Sequence, residues 1–188
     1  VAYFSFRLCR EKMKVENQPK LNLGLKKFIP DLLTQTPDIG IFLICVAISL
    51  SFSLYLIQLL PPNSHDVLTT HLSRVGYWLQ NGTYLPFSTH NLFDVVYPYN
   101  PALQAVWVVV MMGSDSMVEV FQWVAAIACF MATIGISREL GADKKSSLLK
   151  GLLFLTFPVV AMQSSTAQTD LVAAAFFCTS IYFLISGF

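Results

Sequence analysis

IGIFLICVAISLSFSLYLIQLL, residues 39–60, runs for twenty-two positions without a charge. At about 1.5 Å per residue, a helix of this length crosses a hydrocarbon core of roughly 30 Å. The stretch therefore reads as a transmembrane helix over 39–60, and every other segment is read by the side of it on which it falls. Residues 1–38 are mixed and polar, broken by Pro19, Pro30 and Pro37, with basic residues crowded between Arg7 and Lys27. An excess of Lys and Arg beside a span marks the cytoplasmic face. Residues 1–38 are thus expected to form a cytoplasmic segment whose start is the tail of an earlier span, with a short amphipathic surface helix around 21–33. The chain from Pro61 onward then emerges outside.

Composition agrees with that frame. Apolar residues make up 55% of the chain and charged ones only 12%, with a mean hydropathy of +0.59, which puts it in the membrane class. A net charge of +1 offers no electrostatic footprint for nucleic acid, so no nucleic-acid partner is expected. Cys9, Cys45, Cys129 and Cys178 are single and far apart, without metal-ligand or redox spacing, and read as packing residues. The chain starts without Met and stops inside an apolar run, so it is expected to be a piece of a longer protein.

Outward from the first span, 61–117 reads as an outer-face loop with two juxtamembrane helices, at about 65–81 and 101–112. The first carries Val67, Leu68, Leu72, Val75, Trp78 and Leu79 at helical spacing and ends at Gly82. The second, PALQAVWVVVMM, is apolar but too short to cross. If it did cross, the linker with Arg138, Lys144, Lys145 and Lys150 would lie outside, against the positive-inside bias. Transmembrane helices are therefore predicted at 118–137, 151–168 and 170–188, with a cytoplasmic loop at 138–150 and a kink at Pro158. The predicted fold is an all-α membrane protein, a polytopic helical bundle with outer-face juxtamembrane helices. In that topology Asp66 and Asp170 share the outer surface.

Asp66 reads as an N-cap or as a general base whose pKa partial burial raises; Asp170 carries the same alternatives. Arg74, two turns after Asp66, suits a local ion pair, a lipid phosphate or snorkelling. His65, Asp66 and Asp94, with His71 and His90 nearby, are the candidates for a divalent metal, though their spacing fits no standard ligand pattern and no metal is required. Tyr97 and Trp107 read as an interfacial aromatic belt, or as stacking surfaces for a sugar ring. Asn81-Gly82-Thr83 matches a glycosylation sequon.

Four stretches taken in order resemble a known pattern: DVLTTHLSRVGYWLQNGT from Asp66, YPYNPAL from Tyr97, SRELGA from Ser137, and FPVVAMQSSTAQTD from Phe157 to Asp170. Over residues 39–188 the chain resembles the GT-C superfamily of membrane glycosyltransferases, nearest to the bacterial branch similar to dolichyl-phosphate-mannose-protein mannosyltransferases and aminoarabinose transferases. The first loop reads His65-Asp66-Val67 where many relatives pair two acidic residues, and Asn100-Pro101 stands where relatives often carry a basic residue or His.

The resemblance implies a multi-pass enzyme of the bacterial plasma (inner) membrane. It would take a sugar from a polyprenyl-phosphate donor on the non-cytoplasmic face and pass it, with inversion, to a glycan, lipid or protein acceptor. By position, Asp66 and Asp170 would be catalytic, with His71, Arg74, Tyr97 and Asn100 binding substrate. The piece alone is expected to be inactive. The competing expectation is a non-catalytic integral membrane subunit of a larger complex built on the same scaffold. A transporter would instead be expected to place charges or broken helices near mid-span.

Overall fold

A computed structural model describes residues 37–187. The amphipathic helix expected at 21–33 and the tail of an earlier span lie outside the described residues. Within them every regular element is a helix: α1 (Pro37–Leu59), α2 (Leu72–Asn81), α3 (Phe93–Val96), α4 (Asn100–Met112), α5 (Val120–Glu139), α6 (Lys144–Thr156), α7 (Pro158–Gln163) and α8 (Asp170–Ser186), with a π-helical turn over Val67–His71 leading into α2. The chain divides into two units at Ile41/Phe42; the first contributes only the opening turn of α1 to the described residues, and the packing below belongs to the second.

Two of these helices, α1 and α5, are long and apolar enough to cross a membrane, with mean hydropathies of 2.4 and 1.8. In the most apolar stretch of α1 only 11% of residues are buried. Ile44, Ile48, Phe52, Tyr55 and Leu59 stand exposed along it, while Val46 and Ile57 face inward. A soluble core helix of that hydropathy would be covered on most sides. α4 and α8 are shorter apolar helices.

The bundle is built on α5. α6 returns antiparallel after the short turn at 140–143, and Lys150 Nζ donates to Ser137 Oγ at 3.0 Å near that end. Gly151 lets the pair close up: a Cβ there would stand 2.8 Å from Ile134 and 2.9 Å from Phe130. α8 runs parallel to α5, since Gln122 meets Val172 near both starts, and the Tyr182 ring lies against Gly135, where a Cβ would sit 2.6 Å away. The starts of α5 and α8 therefore share one end of the bundle. There α2 and α4 form a side layer through Val75, Trp78, Ala102, Ala105, Val106 and Val108.

Two segments differ from the sequence reading. The helix expected over 151–168 is interrupted: α6 stops at Thr156, Phe157 is extended at φ −59° and ψ 126°, and α7 starts at Pro158. Proline disfavours the α conformation in the residue before it and has no N–H to continue the ladder, so the expected kink is a break. The loop expected over 138–150 is largely helical, because Asp143 caps α6 by accepting the N–H groups of Lys145 at 3.0 Å and Ser146 at 3.3 Å.

Candidate functional site

The helical stretch containing Asp66 starts with a distortion. Thr69 donates its hydroxyl back to the His65 carbonyl at 2.8 Å, and Thr70 donates to the Asp66 carbonyl. Such back-bonding competes with the main-chain ladder. The Leu72 N–H bonds to the Val67 carbonyl, five residues back. In an α-helix residues five apart diverge by about 140°, whereas the i→i+5 bonding of a π turn brings them toward one face. Asp66 and His71 thus turn to the same side.

That side is a cleft of about 330 Å³ lined by Asp66, His71, Tyr97, Pro98, Gln168, Thr169 and Asp170. Four of the six residues expected to carry function are therefore together: Asp66, His71, Tyr97 and Asp170. The Tyr97 and His71 rings stack loosely at 6.1 Å. Asp170 Oδ2 accepts from Gln163 Nε2 at 2.8 Å, which ties the carboxylate to the end of α7. Neither Asp caps a helix as the sequence suggested: Asp66 has helical dihedrals and no cap bond, and Thr169 holds the cap position before α8. Nor is Asp66 partly buried; its side chain is exposed at the rim.

His71 is half-buried, and burial lowers its pKa from 6.5. The Arg74 charge lowers it further, against the pull of the Asp66 and Asp170 carboxylates. The imidazole is accordingly neutral at pH 7, a donor and an acceptor at once.

Arg74 is not in the cleft. It is 1% exposed, and its guanidinium donates to three carbonyls of the following loop: Asp94 at 2.6 Å, Phe93 at 3.0 Å and Pro98 at 3.2 Å. The rings of Tyr99 and Trp78 flank it at 4.8 and 5.8 Å. The expectation of a ligand-binding arginine is corrected to a clamp, because the loop folds over the helix face that carries Arg74. Asp94 belongs to the same clamp. It is 4% exposed, and its carboxylate accepts from Ser73 at 3.0 Å, Asn91 at 3.2 Å and Thr89 at 3.2 Å, so its lone pairs serve the loop. Among the described residues no group of three or more His, Cys, Asp and Glu side chains is placed to hold a metal. His65 and His90 are exposed, and Asn100 opens α4 outside the lining of the cleft.

The sequence reading missed Pro98, Gln168 and Thr169, which complete the cleft wall, and Gln122 beneath it. QSSTAQTD was visible as the polar end of a span, and Gln122 as the lone amide near the start of an apolar helix. The arrangement offers two carboxylate acceptors, a neutral imidazole, a hydroxyl, an amide and aromatic faces. It suits a ligand rich in hydroxyl groups, whose protons reach the carboxylates and whose ring lies against Tyr97. No family model, curated protein or solved structure matches the chain.

Proposed function

We propose that this chain is the catalytic-cleft portion of a multi-pass glycosyltransferase of GT-C type, integral to a bacterial plasma membrane. It takes a sugar from a polyprenyl-phosphate donor on the non-cytoplasmic face. The observation that supports this reading is the meeting of Asp66, His71, Tyr97 and Asp170 in one cleft, residues drawn from three of the four stretches that carry the resemblance. In the proposed reaction Asp66 accepts the proton of an acceptor hydroxyl while its oxygen attacks the anomeric carbon. The bond from that carbon to the phosphate oxygen breaks, and the polyprenyl phosphate leaves with the electron pair. Asp170 holds hydroxyls of the sugar, and neutral His71 orients the acceptor.

The exposed apolar length of α1 supports membrane embedding. Four spans, with α6 and α7 together as the third, agree with the antiparallel and parallel packing around α5. One observation favours the competing reading, a non-catalytic membrane subunit. Arg74 is spent on carbonyls, and the described lining of the cleft holds no Lys or Arg to meet a departing phosphate.

Sugar transfer in membrane vesicles separates the two readings. Asp66→Asn, present in the membrane at wild-type level, is expected to lower transfer by about 100-fold or more, the scale of a general base. Unaltered transfer in that variant, with normal assembly into a larger complex, would support the subunit.

A further inference from the structure

Gln122 is the third residue of α5 and is 1% exposed. Its Oε1 accepts the N–H of Val172 at 3.0 Å. Val172 is the third residue of α8, and its N–H is among those that a helix leaves without an internal partner. The bond fixes the orientation of the amide. A backbone N–H can only donate, so the end facing α8 must be the oxygen, and the NH2 group must face away. That nitrogen is buried and without a hydrogen-bond partner. Buried donors are seldom left so, because each forfeits its bonds to water for nothing.

Gln122 lines a recess of about 20 Å³, room for one water-sized oxygen. His71, Gln168 and Thr169 wall both this recess and the cleft. We infer that Gln122 is a specificity residue of the cleft, its amide donating to a single hydroxyl oxygen of the sugar seated there. The inference rests on the reading of the cleft as a sugar site and adds which chain atom selects among sugars. The carboxylates of Asp66 and Asp170 accept from hydroxyl protons and tolerate any hydroxyl within reach. The Gln122 amide donates only to a hydroxyl oxygen that projects into a recess of one-oxygen size, and a sugar lacking that oxygen leaves the donor unsatisfied.

The test measures binding to the full chain in lipid nanodiscs, with mannosyl, glucosyl and galactosyl phosphodecaprenol as probes, followed by the monodeoxy series of whichever binds. Gln122→Glu keeps an oxygen for the Val172 N–H but exchanges the donor for an acceptor; Gln122→Met removes both and serves where the first variant does not fold. The expected result is binding of one parent lipid to the wild type and about tenfold weaker binding to the variants. One monodeoxy analogue should bind the wild type as weakly as the parent binds the variants, with no further loss when analogue and variant are combined. Equal affinity of wild type and variants would mean that the recess holds a water only and that Gln122 merely caps α8. That outcome overturns the inference and leaves the sugar site standing. Failure of every lipid to bind the wild type would overturn both.

Discussion

Arg74 and His71 lie three residues apart and have opposite relations to the cleft. Arg74 acts at a distance, since its bonds to the Phe93, Asp94 and Pro98 carbonyls hold the segment that presents Tyr97. A lysine offers a point charge in place of a planar fork. Arg74→Lys is expected to cost about 2 kcal/mol and Arg74→Ala about 3 kcal/mol or more, read from thermal unfolding of the purified protein, because buried carbonyls lose charged donors. Retention of wild-type stability in Arg74→Ala would refute the clamp. His71 gives a pH prediction of definite sign. Its folded pKa lies below 6.5, so the unfolded chain binds the proton more tightly. The stability that neutral His71 contributes is complete above pH 6.5 and is lost as pH falls through that value toward the depressed one. Between about pH 8 and about pH 5 the melting temperature of the wild type should fall further than that of His71→Gln. Parallel curves would show that the histidine is not held neutral.

At the scale of elements, three local devices set the geometry of the site. The π turn at Val67–His71, ahead of α2, brings His71 round to the side of Asp66. The Phe157-Pro158 break ends α6 and leaves α7 to deliver Gln163 to Asp170. The α5–α6 hairpin closes over Gly151, where an added Cβ would meet Phe130 and Ile134 at under 3 Å. Gly151→Ala is therefore expected to destabilise the protein by about 1–3 kcal/mol through overpacking, despite the better helix propensity of alanine. A rise in melting temperature for this variant would mean that the two helices separate without cost.

For the whole molecule, the parallel run of α5 and α8 matters most. It puts the starts of both helices, and with them Asp170 and the π turn that follows Asp66, at one end of the bundle. The proposed topology makes that end the outer face. Single cysteines at Ser64, Ser116, Ser146 and Thr169, in a background lacking Cys9, Cys45, Cys129 and Cys178, test it directly. Ser64, Ser116 and Thr169 are expected to react with an impermeant reagent applied from outside, and Ser146 to be protected. Labelling of Ser146 from outside with protection of Thr169 would put α4 across the membrane and the two aspartates on opposite faces.

Helical class, the two helices long enough to cross a membrane, and the stop at Gly82 were legible from the chain itself, because apolar run length and turn residues act over a few positions. Asp66, His71, Tyr97 and Asp170 were legible as candidates, being polar or aromatic residues at the ends of apolar runs. Asp66 and Asp170 were expected to share the outer surface; that His71 and Tyr97 join them in one cleft depends on α5 and α8 running parallel and on the π turn at Val67–His71. Arg74 was misjudged for the same reason: its partners are main-chain carbonyls, which every residue owns and no sequence pattern marks. Gln122 stood as one amide in an apolar helix, and only the approach of the Val172 N–H decided that its oxygen is the end that meets α8. Sequence thus determined which segments avoid water, a property of each residue summed over short stretches. Packing alone decided which polar atoms face one another, because that depends on distances between residues far apart in the chain.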